Sequence, residues 1–158
     1  MFKLLLAPIL FLSFFQTAYA ESTKDSIYCL AKNIYFEARN QSKTGQQAVA
    51  FVTMNRVKSE LYPNTICKVV YQGVKNPDGT MKKDQCHFSW YCDNKPDIPK
   101  EKESFKLALS IAIFVYTYYN YIPDPTHGAI MYHANYVKPR WARDYAKTAK
   151  IEKHIFYK

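Results

Sequence analysis

Glu37, within Ile34-Tyr35-Phe36-Glu37-Ala38-Arg39, is the residue of this chain best suited to move a proton. Breaking a glycosidic bond requires a carboxylic acid that protonates the leaving oxygen, and such an acid works near neutral pH only if its pKa is raised. Ile27, Leu30, Ala31, Ile34 and Ala38 recur at helical spacing, and Ser22 or Thr23 can cap the start. On that helix Glu37 falls roughly 80° from the middle of the apolar stripe, at the boundary between core and solvent. Desolvation beside Leu30, Ile34 and Phe36 would raise its pKa, and Arg39 would oppose this if it turned inward.

An ordinary glycosidase needs a second carboxylate, roughly 5–5.5 Å away for retention or 6.5–9.5 Å for inversion. Asp84, Asp93 and Asp97 are available, but nothing in their sequence context directs one of them at Glu37. No serine sits in a glycine-flanked nucleophile elbow. Cys29, Cys67, Cys86 and Cys92 are better read as two disulfides, for which three pairings are open. They contain no C-x-x-C pair and no histidine spaced to complete a zinc site, so neither a metal nor another cofactor is implied.

The disulfide reading matches the N-terminus. Lys3, the apolar run Leu4 to Phe15 and Ala18-Tyr19-Ala20 have the layout of a secretory signal peptide over residues 1–20, too short to span a bilayer. Cleavage would leave residues 21–158, about 138 residues and one domain, exported to the periplasm or the exterior. With 48% apolar and 16% aromatic residues, disorder is excluded. The charge of +9 becomes +8 once Lys3 is removed, a field that draws polyanions. Outside the membrane these are anionic wall polymers or a lipid surface rather than nucleic acid, and the protein is expected to act as a monomer.

Three helices must position these groups. The first carries Glu37, and Asn40-Gln41-Ser42 ends it. The second runs from Thr44-Gly45 to Val57, is apolar on most sides and reads as a central buried helix. Ile66 to Tyr71 is helix or strand. Residues 73–100, with Gly73, Asn76-Pro77-Asp78-Gly79, Pro96 and Pro99, read as a long, ordered, turn-rich connection. The third helix spans Glu101 to Tyr121. Ala129 to Tyr136 and Lys153 to Tyr157 read as short extended segments.

The ordered strings Ala31-x-x-Ile34-Tyr35-Phe36-Glu37-Ala38-Arg39, Gly45-Gln46-x-Ala48-Val49-Ala50 and Asn55-Arg56-Val57 resemble the SleB/CwlJ-like family of cell wall hydrolases. So do Tyr62-Pro63-x-Thr65-x-Cys67-x-Val69-Val70-Tyr71-Gln72, Phe88-Ser89-Trp90, Tyr132-His133-Ala134-x-Tyr136-Val137-x-Pro139-x-Trp141-Ala142 and His154-Ile155-Phe156-Tyr157. The resemblance implies an α+β, mainly helical, lysozyme-like domain with a small β portion, acting on peptidoglycan glycan strands. It puts the family's catalytic glutamate on Glu37. It implies lytic transglycosylation between N-acetylmuramic acid and N-acetylglucosamine, which suits a lone acid/base because the sugar's own hydroxyl closes the ring. Phe88, Ser89, Tyr132 and His133 are the expected substrate contacts, and Trp141 is expected to pack.

Two positions depart from the family pattern. Asn40-Gln41 stands where Gly-Glu is frequent, removing an acid near Glu37, and His87 replaces a frequent glutamine. The first supports a reading of another class, a basic peptidoglycan-binding module that has lost catalysis.

Overall fold

Ser22 and Ser42 start the two helices that carry the site. In the computed structural model, which describes residues 21–158, α1 spans Thr23–Ala38 and α2 spans Lys43–Lys58. The Ser22 and Ser42 hydroxyls accept from the amides of Asp25 and Gly45, satisfying first-turn donors. The expected signal peptide lies outside the described residues. Between α1 and α2 the chain reverses tightly, and a Cβ on Gly45 would stand 2.8 Å from Cβ of Gln41. That close approach requires glycine at position 45.

Ile66–Val70 is a short helix, α3, capped by Thr65, which resolves the ambiguity of that stretch. The long connection is more regular than its turn residues suggest. It holds a hairpin of β1 (Gly73–Lys75) and β2 (Met81–Cys86), then a 3-10 turn at Ser89–Cys92. The hairpin is almost wholly exposed, so its sequence lacks the apolar alternation that reveals a half-buried strand. Next comes α4, Lys102–Tyr118, shorter at its C-terminus than its apolar run suggests. Glu101 makes no side-chain cap there. Instead the Tyr35 hydroxyl accepts from the amides of Lys100 and Glu101 at 3.1 and 3.2 Å, so α1 holds the segment that leads into α4.

A three-stranded antiparallel sheet closes the chain, ordered β3 (Met131–Ala134), β5 (His154–Tyr157), β4 (Lys147–Ile151). Strand β4 was not foreseen. It is an edge strand reading Lys-Thr-Ala-Lys-Ile, in which only Ala149 and Ile151 pack against the core, too short an alternation to stand out. The domain is therefore α+β and mainly helical, as expected.

The core lies among α1, α2, α3 and α4, with Leu30, Ile34, Tyr35, Phe51, Val69, Val70, Phe88 and Val115 almost fully buried. Burying each such side chain contributes about 1.5–3 kcal/mol. One polar thread crosses this core. Asn33 is fully buried; its amide donates to Thr53 Oγ1 at 3.0 Å and its oxygen accepts from Trp90 Nε1 at 3.0 Å. Thr53 donates onward to the Val49 carbonyl. This ties α1, α2 and the 3-10 turn into one unit. The disulfides are Cys29–Cys67, joining α1 to α3, and Cys86–Cys92, joining β2 to the 3-10 turn.

Candidate active site

Glu37 projects from the last turn of α1 into a cleft of about 530 Å3 between the helices and strand β3. Strand alternation sets the opposite wall. Tyr132 pairs with Phe156 and Ala134 with His154, so Tyr132, His154 and Phe156 share one face of the sheet. That face turns toward α1 and α2. The Tyr132 ring meets His154 edge-on at 5.1 Å and tilts on Phe156 at 5.6 Å. Held in this way, the Tyr132 hydroxyl donates to Glu37 Oε2 at 2.7 Å. Oε1 accepts no hydrogen bond among the described residues.

Burial raises the Glu37 pKa, and the Tyr132 hydrogen bond and the Arg56 charge pull it partway back. The Tyr132 phenol is pushed well up by burial and by Glu37, so it stays a neutral donor. Arg39, the cation expected to oppose desolvation, does not. It turns away, 3.6 Å from Glu101 and over the Tyr35 ring.

Arg56 takes that role from α2. Its Nε donates to the Ile130 carbonyl at 2.7 Å, and its guanidinium lies between the Tyr62 and Phe88 rings, 5.2 and 4.7 Å from their centroids. It is 4% exposed, and Nη1 has no hydrogen-bond partner among the described residues. Arg56 belongs to the Asn55-Arg56-Val57 string, to which sequence alone assigns no task. The signal was a lone cation inside a helix that is otherwise apolar on most sides.

The expected substrate contacts separate into two groups. Ser89, Tyr132 and His133 line the cleft with Glu37. Phe88 does not, and its expected role as a sugar platform is corrected: it is 1% exposed, packed in the core beneath the Arg56 guanidinium. Trp90 and Phe36, stacked at 4.6 Å, supply aromatic surface in its place. His133 has both ring nitrogens engaged. Nδ1 donates to the Ala134 carbonyl at 2.8 Å, which leaves Nε2 to accept from the Tyr157 hydroxyl at 2.9 Å. Trp141 packs edge-on against His133 and Tyr157.

Two further histidines, His87 and His154, line the cleft, and burial lowers the pKa of each. Of the three aspartates, only Asp93 reaches the cleft wall, while Asp97 lines a neighbouring groove. Asp93 accepts from the Lys95 amide at 2.9 Å and pairs with its ammonium at 3.3 Å, which holds its carboxyl below the usual range. Asp84 is exposed on the hairpin. Gln41, standing where an acid is frequent, is not part of the cleft lining. Its side chain donates to Asn40, and its carbonyl accepts from Gln46. Among the described residues no group of three or more histidines, cysteines or carboxylates is gathered to hold a metal ion.

A family model described as Cell Wall Hydrolase matches residues 40–157, beginning just after Glu37. A spore cortex-lytic enzyme of Bacillus cereus is 29% identical over 137 residues, covering 86% of this chain and 45% of that protein. Its counterpart in Bacillus subtilis is 38% identical over 50 residues, 32% of this chain and 16% of that protein. The chain thus spans less than half the length of these curated relatives. The crystal structure of the catalytic domain of the Bacillus cereus SleB protein matches with a TM-score of 0.60 and 28% identity, covering 86% of this chain and 91% of that one. The catalytic domain of the germination-specific lytic transglycosylase SleB from Bacillus anthracis gives the same TM-score and identity, covering 90% and 98%.

Proposed function

Because this chain belongs to the cell wall hydrolase family, we propose that it cuts peptidoglycan glycan strands between N-acetylmuramic acid and N-acetylglucosamine, as a lytic transglycosylase with Glu37 as acid and then base. The observation that carries this reading is the Glu37–Tyr132 pair in an open cleft. One carboxyl oxygen is held by a neutral phenol, the other is free, and burial favours the protonated form. Protonated Glu37 gives its proton to the glycosidic oxygen as the bond to the muramic acid C1 breaks. The C6 hydroxyl of the same sugar then attacks C1, and the Glu37 carboxylate takes its proton. A 1,6-anhydro end forms, Glu37 is returned to its starting state, and no water is consumed. Between the two transfers Tyr132 and Arg56 stabilise the carboxylate.

The similar Bacillus anthracis domain is that of a lytic transglycosylase, which favours this chemistry over hydrolysis. The geometry supports one competing route. Asp93 shares the cleft wall with its pKa lowered while that of Glu37 is raised, a divergence typical of a base and an acid that activate water between them. The Lys95 contacts that lower the Asp93 pKa also occupy its oxygens, which makes it the weaker reading. A binding module without catalysis is disfavoured because the acid lost at position 41 would not have lined the cleft. The two disulfides fit an oxidising compartment outside the cytoplasm, in line with removal of residues 1–20 on export.

Incubating purified protein and its Glu37→Gln variant with sacculi tests the proposal. Soluble muropeptides are expected from the first and at least about a hundredfold fewer from the second. Binding by both with release by neither would leave only the binding module.

A further inference from the structure

The cleft is flanked by two grooves that differ in charge. One, of about 520 Å3, shares Phe36 and Trp90 with the cleft, and its cations are largely neutralised: Arg39 pairs with Glu101, and Lys95 with Asp93. The other, of about 480 Å3, meets the cleft at His133 and Val137. Its floor is the sheet face opposite Tyr132, formed by His133, Ile155 and Tyr157. Lys138, Arg140 and Arg143 stand along its rim, the two arginines on the 3-10 turn Arg140–Arg143. No carboxylate lines this groove, and the ion pairs among the described residues involve none of the three.

We propose that this basic groove binds the stem peptide carried by the muramic acid of a strand lying in the cleft, engaging the peptide's carboxylates through Lys138, Arg140 and Arg143. The inference rests on the glycan-cleavage reading and extends it to the part of the substrate that is not cut. Arginine suits the task because its planar fork meets a carboxylate with two parallel hydrogen bonds. The exposed, unpaired state of these three cations means that a ligand replaces water and not an existing partner. Apolar surface from Val137, Ala142 and Ile155 suits the methyl groups of alanine residues, which an unsubstituted polyglycerol phosphate lacks. The walls shared at His133 and Val137 favour an occupant covalently attached to whatever fills the cleft. Such an attachment holds the second ligand at high effective concentration.

The test uses the full chain carrying Glu37→Gln, so that ligand is bound and not cut. Calorimetry compares the N-acetylglucosamine–N-acetylmuramic acid disaccharide with the same disaccharide bearing its tetrapeptide. The peptide is expected to improve affinity about tenfold or more, and that gain should shrink as salt rises. Arg140→Ala with Arg143→Ala should abolish the gain and leave affinity for the bare disaccharide within about twofold, whereas Arg140→Lys with Arg143→Lys should keep part of it. A peptide that adds nothing, or a double alanine variant that weakens both ligands equally, would overturn the proposal. So would arginine-dependent binding of phosphatidylglycerol vesicles or polyglycerol phosphate together with unchanged muropeptide affinity. Muropeptide release from sacculi by the wild-type chain is scored separately. Release without a peptide-dependent gain defeats the groove alone, and a gain without release defeats the cleavage reading alone.

Discussion

The Tyr132 hydroxyl lies 2.7 Å from Oε2 of Glu37, joining residues 95 positions apart in the chain. This contact brings the last turn of α1 to the first strand of the C-terminal sheet and fixes one oxygen of a carboxyl whose pKa burial has raised.

Removing that hydroxyl should change the pH profile as well as the rate. The bond stabilises the Glu37 carboxylate, so Tyr132→Phe raises the Glu37 pKa further. Activity that depends on protonated Glu37 declines as pH rises through that pKa, so the alkaline limb should move to higher pH in the variant. A hydrogen bond to a charged group contributes about 1.5–3 kcal/mol, so the maximal rate should fall on the order of tenfold to a hundredfold. Muropeptide release measured across pH checks both. An unmoved limb would mean that Tyr132 does not act on the ionisation of Glu37.

The raised pKa also predicts a stability effect of definite sign. The folded state holds the Glu37 proton more tightly than the unfolded chain does. Its contribution is therefore full below the ordinary glutamate pKa of 4.5 and is lost as pH rises through the raised value. At neutral pH, where the unfolded chain carries this carboxylate ionised, the burial of Glu37 opposes folding, and Glu37→Gln should raise the Tm by about 2–4 °C for each kcal/mol relieved. Near pH 4 the two proteins should melt together. Thermal melts at both pH values decide this, and an equal difference at both would contradict it.

Asn33→Ala should destabilise the chain by about 2–4 kcal/mol, because it strands the buried Trp90 N–H and removes the donor to Thr53. Since Trp90 forms part of the cleft wall, its fluorescence should shift in the folded variant. Urea unfolding followed by tryptophan fluorescence, with Trp141→Phe in both proteins so that Trp90 alone emits, measures both effects. A loss below about 0.5 kcal/mol would show that the thread is dispensable.

The parts legible in the sequence were those encoded locally. Helix α1 follows from apolar spacing and a cap at Ser22, α2 and α4 from their apolar runs, and the position of Glu37 at the stripe's edge follows from the spacing of α1. Tyr132 and His133 were reached through motif resemblance, not through any local pattern. What was not legible is non-local. That Arg56, and not Arg39, faces Glu37 depends on how α2 packs against α1, and neither residue's neighbours in sequence reveal it. Phe88 looks like any aromatic beside a turn until α2 supplies the guanidinium that covers it. Asn33 sits among apolar residues with partners 20 and 57 positions away. The exposed hairpin carries no buried face to imprint a period of two, and edge strand β4 turns only Ala149 and Ile151 inward, too few to set one.

Mass spectrometry of the fragments released from sacculi tests the central claim most directly. A lone Glu37 that protonates the leaving oxygen and then deprotonates the C6 hydroxyl predicts 1,6-anhydro-muramic ends, the same ends from Asp93→Asn, and almost no fragments from Glu37→Gln. Reducing ends about 18 Da heavier, lost in Asp93→Asn, would contradict it and assign the chemistry to a water activated by the second carboxylate of the cleft.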